Sequence, residues 1–167
     1  LGRLAIGTHA PALISDPVNY ADPLCDDAYW ALRQRHASKT RERPFTHHDT
    51  LGWTLDPAHT NALGASQRPA VWSEAAPRLG MFGDSFVQGT TAADARLAVQ
   101  LQTQIPAAQA LGYGVGGYGL DQIVLSLEAQ LSTLMGGEAV VGVMLTDIDR
   151  SILHYRDGPK PWFSLDA

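Results

Sequence analysis

Apolar segments and helical patterns alternate along the second half of this chain, and this alternation constrains the fold more than any other feature. Short apolar runs at residues 79–82, 109–113 and 139–145 have the length of buried strands. Between them, residues 92–105 and 120–134 carry apolar side chains at helical spacing. The order strand, helix, strand, helix, strand predicts a parallel sheet covered by helices on both faces. We therefore expect an α/β fold, a flavodoxin-like three-layer α/β/α sandwich that is incomplete at its C-terminus.

The same pattern predicts which side chains of these elements are buried. The third run is apolar throughout, which is typical of a strand covered on both faces. Gly136 and Gly137 should end the second helix. The first helix should bury one apolar face, formed by Leu97, Ala98, Leu101 and Ile105. The second should bury a stripe formed by Leu120, Val124, Leu127, Leu131 and Leu134.

Residues 1–75 have no regular pattern and are interpreted as a lead-in segment packed on the main domain, which occupies residues 76–167. Within the lead-in we expect a helix at 26–35, a short strand at 50–55 and a turn at 61–64. The chain does not begin with Met and stops without a helix end or a polar tail. We expect it to be part of a longer protein.

Composition excludes several classes of function. The net charge is −5 and no Lys/Arg cluster recurs along a face, which argues against a nucleic-acid partner. The basic run at 33–43 is interpreted as a solvated helix end. Cys25 is the only cysteine, so neither an intrachain disulfide nor a cysteine-based zinc site is available. No apolar stretch approaches the roughly 18 residues of a membrane helix.

A serine motif follows the first strand of the main domain. Residues 83–89 read GDSFVQG and place Ser85 at the carboxyl end of a buried strand, where open α/β sheets build their sites. Asp84 and the flanking glycines allow a sharp turn that brings amide N–H groups near the serine oxygen. These are the parts of a nucleophile with an adjacent oxyanion donor. The structural alternative is a turn that only caps a helix.

Two further loops should meet the serine at the same edge of the sheet, at residues 112–119 and 146–150. The first of them satisfies the dinucleotide fingerprint G-x-G-x-x-G, but its acidic partner should end the next strand, and Glu138 precedes that strand. The fingerprint also belongs to the first strand–helix turn, whereas this loop is the second. A backbone N–H presented to an oxyanion by Gly117 is the better interpretation of the loop.

Taken together, these segments resemble a bacterial branch of the SGNH/GDSL hydrolases. The resemblance covers about residues 50–165 and is carried by ordered blocks: GDSF at 83–86, GVGGYGLDQ at 114–122, DIDR at 147–150 and KPWF at 160–163, with Gly52-Trp53 and Asn61…Gly64 upstream. It implies a serine hydrolase of ester bonds, on carbohydrate or lipid esters, without a cofactor. It also implies that Ser85 is the nucleophile and that the amides of Ser85 and Gly117 form part of the oxyanion hole.

This chain departs from the family pattern at three places. Gly112 stands where the second block usually opens with Asn. Thr146 aligns with the Asn whose side chain donates to the oxyanion, and a threonine hydroxyl is shorter and placed differently. Loss of one such donor costs roughly 100- to 1,000-fold in rate. The Asp-x-x-His block that supplies the base does not occur between Asp149 and Ala167.

The ionisable residues have simpler interpretations than catalysis. His154 follows the third strand and is expected on a surface loop. His47 and His48 are expected in a solvated turn, because adjacent residues on an extended segment point to opposite sides and cannot easily share a metal. No metal site is predicted. The acidic residues divide into Asp84, which orders the serine turn, Asp147, which supports the site, Asp121, which caps a helix, and Asp149, which pairs locally with Arg150.

We therefore expect a histidine beyond Ala167 to act as the base, and residues 1–167 alone to show little or no turnover. Two other classes remain: a noncatalytic binding or assembly module that keeps the fold, and a dinucleotide-binding domain. The expected ligand is a small-molecule ester. A half sheet also exposes an edge, which favours self-association. The sequence is compatible with two compartments, the bacterial envelope and the cytoplasm.

Overall fold

The computed structural model describes residues 45–66, 75–89, 92–153, 160, 161 and 163. The predicted helix at 26–35, the basic run at 33–43, Cys25 and His154 lie outside these residues. Five strands and four α-helices are described, in this order: β1 (Phe45–His48), β2 (Gly52–Leu55), β3 (Arg78–Gly83), α1 (Ser85–Gln88), α2 (Leu97–Gln104), β4 (Gln109–Gly114), α3 (Leu120–Leu134), β5 (Glu138–Val141) and α4 (Leu145–Arg150).

The main sheet is parallel, with strand order β4-β3-β5. Gly83 at the end of β3 pairs with Gly114 at the end of β4, and Phe82 pairs with Val141 of β5. The strands β3 and β4 lie where the apolar runs predicted them. The α/β class and the parallel pairing are therefore confirmed.

Side chains alternate between two apolar clusters along β3 and β4, as the two-residue period of a strand requires. Phe82 and Tyr113 lie in the larger cluster, which includes residues of β2 and α3, and their rings stack with centroids 4.9 Å apart. Met81 and Ala110 lie in the smaller cluster, with Ala98 of α2. The central strand β3 therefore contributes to both clusters.

The described part of the lead-in is an antiparallel hairpin of β1 and β2 that packs on the larger cluster. The strand predicted at 50–55 is confirmed as β2, and the turn at 61–64 is confirmed, with Asn61 Oδ1 accepting the Leu63 N–H at 2.8 Å. The turn predicted at His47 and His48 is wrong. Both residues belong to β1, because they pair in register with Trp53 and Gly52.

The helix predicted at 92–105 is shorter than expected. A 3-10 turn at Ala93–Ala95 precedes α2, and Arg96 between them is extended. Of the predicted apolar face, Ala98 is buried and Leu101 is partly buried, but Leu97 and Ile105 are 46% and 43% exposed. Leu97 begins the helix and Ile105 follows its last residue, so neither is held over the sheet.

The stripe predicted for α3 is confirmed at Leu134, which is buried, and at Leu127, which packs against the larger cluster, but it is wrong at Val124 and Leu131. Val124 and Leu131 are exposed, whereas Asp121, Gln122 and Ser126 are buried with Ile123 and Leu134. The buried side chain of Asp121 accepts a hydrogen bond from Lys160, and that of Gln122 donates to the Leu51 carbonyl. These bonds offset the cost of burying the two polar groups. The helix ends as predicted, with Met135 and Gly136 in left-handed conformations.

The third strand also differs from its prediction. β5 has only four residues, Glu138–Val141, and all four are exposed. It pairs with β3 alone among the described strands, and its exposed side chains lack the cover on both faces that its apolar run predicted. Residues 146–150, expected to form a polar loop, belong instead to helix α4, which begins at Leu145. Within the described ranges, no helix is long and apolar enough to cross a bilayer.

Candidate functional site

Glycines mark the carboxyl ends of the sheet strands. Gly83 ends β3, Gly114 ends β4 and Gly142 directly follows β5. A Cβ on Gly114 would lie 2.2 Å from the Gln88 amide nitrogen, and a Cβ on Gly83 would lie 2.3 Å from a Val87 methyl carbon. Helix α1 therefore packs directly on the strand ends, and a side chain at either glycine would displace it.

Ser85 is the first residue of α1 and is partly exposed. Asp84 Oδ1 accepts the Phe86 N–H at 2.9 Å, which confirms that Asp84 orders this turn. Ser85 Oγ makes no hydrogen bond to any residue that the structure describes. Phe86, the next residue, is 71% exposed.

The glycine loop after β4 comes within contact distance of this serine. A Cβ on Gly116 would lie 3.7 Å from the Ser85 Cβ, and Gln88 Oε1 accepts the Gly116 N–H at 2.7 Å. Gly117 is buried and has φ +85°, a conformation that favours glycine. Its amide donates to no acceptor within the described part of the chain. The contact between Gln88 and the glycine loop has no signal in the sequence motifs.

The β1–β2 hairpin holds the outer side of this loop. Trp53 Nε1 donates to the Gly116 carbonyl at 3.2 Å, and the Tyr118 hydroxyl donates to the Trp53 carbonyl at 2.7 Å. The two rings meet edge to face with centroids 5.7 Å apart. Burial raises the pKa of Tyr118, which keeps the hydroxyl protonated as a donor. The hairpin and the loop therefore form one hydrogen-bonded unit.

Two buried carboxylates and one arginine lie between the loops. Arg150 Nη1 lies 3.0 Å from Asp84 Oδ2 and 2.7 Å from Asp147 Oδ1. Burial raises the pKa of Asp147 and the nearby Asp84 adds to this, whereas the Met144 N–H and Arg150 oppose it. The predicted local pair of Asp149 with Arg150 is wrong, because the arginine turns inward to these two carboxylates and Asp149 is exposed.

Thr146 is the second residue of α4. Its hydroxyl is buried, and no described residue hydrogen-bonds it. Burial of a hydroxyl without a hydrogen-bond partner costs free energy, and such a group is therefore a candidate for a functional role. Thr146 is the residue predicted to replace the oxyanion asparagine, and no described residue takes up the hydrogen bond that its hydroxyl can donate.

Helix α3, which follows the glycine loop, forms an ion pair with Lys160, the first residue of the KPWF block. Lys160 Nζ lies 2.7 and 2.9 Å from the two carboxylate oxygens of Asp121, and 3.0 Å from Gln122 Oε1. Gln122 Nε2 in turn donates to the Leu51 carbonyl at 2.7 Å. Asp121 lies in the first turn of α3, near the N-terminus as predicted, but it does not cap the helix: Gly119 is the N-cap, and the Asp121 carboxylate forms a buried ion pair with Lys160.

No described histidine hydrogen-bonds Ser85. His48 Nδ1 accepts the N–H groups of Thr50 and Leu51, and His47 is exposed beside Asp49. His59 is exposed on a 3-10 turn. Over residues 45–66, 75–89 and 92–153, no three His, Cys, Asp or Glu side chains are grouped as metal ligands would be.

The dinucleotide fingerprint lacks its acidic partner in space. Glu138 begins β5 opposite Leu79, whereas the glycine loop starts after Gly114, which pairs with Gly83. The carboxylate and the loop are therefore at opposite ends of the sheet, although a ribose-binding acidic residue should lie beside the loop.

A cavity of about 240 Å³ lies between the hairpin and α3 rather than at Ser85. It is open to solvent, and its lining mixes hydroxyl, amide and aliphatic groups: His48, Leu51, Thr54, Leu55, Pro57, Thr60, Gly64, Tyr113, Val115, Ser126, Ala129 and Gln130. Neither Ser85 nor Gly117 contributes to it.

Comparisons of the chain with protein-family models, with curated proteins and with solved structures found no match. A function for this chain is therefore inferred from the chemistry and placement of these residues.

Proposed function

We propose that this chain carries the nucleophile and oxyanion donors of a serine hydrolase that cleaves or transfers acyl groups of small-molecule esters, with an SGNH/GDSL-type three-layer sandwich. The close approach of Gly116 to Ser85 carries the proposal, because it brings the loop that holds the Gly117 amide to the serine turn. The Asp84 cap adds support, since it orders the backbone that presents the hydroxyl.

The proposed reaction proceeds in two acyl-transfer steps. Ser85 Oγ attacks the ester carbonyl carbon while a base takes the hydroxyl proton, and the amides of Ser85 and Gly117 donate to the tetrahedral oxyanion. The intermediate collapses, the C–O bond to the alcohol breaks, and the alcohol leaves with that proton. Water or a second alcohol then attacks the acyl-serine by the same route and restores Ser85.

Thr146 and the base set how fast this chemistry proceeds. The Thr146 hydroxyl is the proposed third oxyanion donor, with Asp84 and Asp147 as supporting residues. A serine hydroxyl is a weak nucleophile without a base, and no described histidine contacts it. We therefore expect residues 1–167 alone to hydrolyse p-nitrophenyl esters very slowly. Fast hydrolysis that Ser85→Ala abolishes would instead place the base among the histidines of this chain.

The proposal is tested by covalent labelling of the full-length protein with a fluorophosphonate, followed by peptide mass spectrometry. We expect a single adduct on Ser85, absent in Ser85→Ala. Ser132→Ala, which removes an exposed serine of α3, is the matched control and should be labelled like the wild type. An adduct that persists in Ser85→Ala would contradict the proposal.

A noncatalytic binding or assembly module is the second candidate. The observation that favours it is the lack of any described hydrogen bond from Ser85 Oγ to a base. Folded full-length protein that remains unlabelled at Ser85 under conditions that label a known serine esterase would decide for this alternative.

A further inference from the structure

The guanidinium of Arg150 joins all three segments that follow the strands of the main sheet. Its Nη1 atom lies 3.0 Å from Asp84 Oδ2, 2.7 Å from Asp147 Oδ1 and 3.2 Å from the Tyr118 carbonyl oxygen. These acceptors belong to the serine turn after β3, to helix α4 after β5 and to the glycine loop after β4. A single nitrogen atom therefore contacts every segment of the candidate site.

The charged side chains of this contact are largely buried, so the loss of the guanidinium would leave the carboxylates uncompensated. The side chain of Arg150 is 11% exposed, while those of Asp84 and Asp147 are 2% and 0% exposed. Without the guanidinium, two buried carboxylates would face each other with no described cation beside them, and one would have to take up a proton. The backbone of Arg150 also approaches Gly119, where a Cβ would lie 3.0 Å from the Arg150 carbonyl carbon.

We propose that Arg150 is a positioning residue that holds the Ser85 turn and the Gly117 amide at a fixed separation by bonding Asp84, Asp147 and the Tyr118 carbonyl together. This inference rests on the proposed function for its catalytic meaning. Arg150 has no hydrogen bond to Ser85 or Gly117 among the described contacts, so it acts through their neighbours.

Arg150 is connected to each proposed oxyanion donor through a residue next to that donor in the chain. Asp84 binds Arg150 through Oδ2 and accepts the Phe86 N–H through Oδ1, so its carboxylate links the guanidinium to the first turn of α1. Tyr118 directly follows Gly117, and its carbonyl is held by Arg150 while its hydroxyl is held by the hairpin. A displacement of about 1 Å in a site of this kind can cost on the order of 100-fold in rate.

The first test measures the second-order rate constant for fluorophosphonate labelling of Ser85 in the full-length protein. We expect Arg150→Gln to lower it by about 10- to 100-fold. Arg150→Lys should retain more, since an ammonium keeps the charge and three donors on one atom, though its side chain is one bond shorter.

Arg78→Gln is the matched control for the loss of a partly buried arginine. Arg78 donates to the Thr133 carbonyl from the first residue of β3, roughly 17 Å from Gly83 at the strand's far end. It should be labelled at the wild-type rate. Wild-type labelling in folded Arg150→Gln, or an equal loss in Arg78→Gln, would overturn the proposal.

A second measurement does not depend on reactivity. Asp84 and Arg150 are the described charged groups that face Asp147, so loss of the cation in Arg150→Gln should move the carboxyl titration of Asp147 to higher pH, as followed by carbon-13 NMR. The Phe86 and Gly117 amide signals should shift in Arg150→Lys but not in Arg78→Lys. Unchanged Phe86 and Gly117 amide signals in Arg150→Lys would refute the positioning role even if Arg150→Gln fails to fold, and an unchanged Asp147 titration in folded Arg150→Gln would refute it as well.

The two proposals can fail separately. A wild-type protein that is not labelled at Ser85 contradicts the proposed function, and the NMR measurements then decide whether Arg150 fixes the three segments. A labelled wild type with an unaffected Arg150→Gln variant contradicts only the inference about Arg150.

Discussion

Gln88 Oε1 accepts a hydrogen bond of 2.7 Å from the Gly116 amide, which connects the last residue of the serine helix to the glycine loop after the neighbouring strand. This bond joins the two segments beside the place where a Cβ on Gly116 would lie 3.7 Å from the Ser85 Cβ. The candidate site therefore depends on contacts between loops as much as on the sheet that carries them.

Replacement of Gln88 should disturb the site more than the fold. We expect Gln88→Met to lower the free energy of unfolding by about 1 kcal/mol, because the partly buried Gly116 N–H loses its acceptor. The rate of fluorophosphonate labelling at Ser85 should fall at the same time. Urea unfolding and labelling kinetics check the two effects, and Gln104→Met, at an exposed helix end, is the control.

Gly114 should tolerate no side chain. Gly114→Ala would place a Cβ 2.2 Å from the Gln88 backbone nitrogen, so α1 or β4 must move, and we expect a loss of about 3 kcal/mol. Gly136→Ala is the control. Nothing lies within 4 Å of a Cβ there, and only its φ of +77° opposes the change, at a cost of about 1 kcal/mol. Equal losses in urea unfolding would contradict the close packing of α1.

Asp147 should make stability depend on pH. Its pKa in the folded protein is raised above the ordinary value of 3.8, first by burial, so the folded state binds the proton more tightly than the unfolded state. The contribution of Asp147 to stability is therefore present at low pH and lost as pH rises from about 3.8 through the folded pKa.

The change that tests this dependence is Asp147→Asn. The stability of the wild type relative to this variant should fall with rising pH across that window and then level off. Unfolding by urea at a series of pH values measures it. Asp149→Asn, which removes an exposed carboxylate from the same helix, controls for the change in net charge. A relative stability that rises with pH would contradict the raised pKa.

Two buried tyrosines offer a matched comparison. The Tyr118 hydroxyl donates to the Trp53 carbonyl, whereas the Tyr113 hydroxyl is buried with no described partner, and burial raises the pKa of Tyr113 to about 12. Tyr118→Phe should therefore lose about 1 kcal/mol or more, since the carbonyl is left unpaired. Tyr113→Phe should be neutral or stabilising. Thermal unfolding measures both, and a larger loss in Tyr113→Phe would contradict the assignment.

The exposed strand β5 leads us to propose self-association of the chain. Val140 and Val141 are 50% and 40% exposed, on a strand whose outer edge has no described partner. Open apolar edges pair readily with another strand, and a lysine on the edge opposes this. We expect concentration-dependent dimers in sedimentation velocity, reduced by Val140→Lys but not by Ser132→Lys on α3. A concentration-independent monomer would contradict the proposal.

The sequence was sufficient for the central strands because the burial of β3 and β4 leaves a direct pattern. Leu79, Met81 and Phe82 form an apolar run that has no alternative to a core position. It was insufficient for α3, where the periodicity favoured Val124 and Leu131 as buried. Asp121 and Gln122 lie on the buried face because Lys160 and the Leu51 carbonyl bind them. A hydropathy pattern cannot represent partners 39 and 71 positions away.

The residues of the candidate site could be predicted from the sequence, but the hydrogen bonds and ion pairs that connect them could not. Ser85, Asp84 and the glycine loop follow from motifs, because turns and close backbone approach require particular residue types. Arg150 was assigned to its neighbour Asp149, since local spacing gives no sign of a carboxylate 66 positions earlier. β1 was missed because its four residues, FTHH, have no strand pattern without their partner β2.

The crystal structure of the full-length protein with a phosphonate bound to Ser85 tests the central claim most directly. The account predicts that the phosphonyl oxygen accepts hydrogen bonds from the Ser85 and Gly117 amides at about 2.7–3.1 Å. A phosphonyl oxygen turned to solvent, with the Gly117 amide beyond hydrogen-bonding distance, would contradict it.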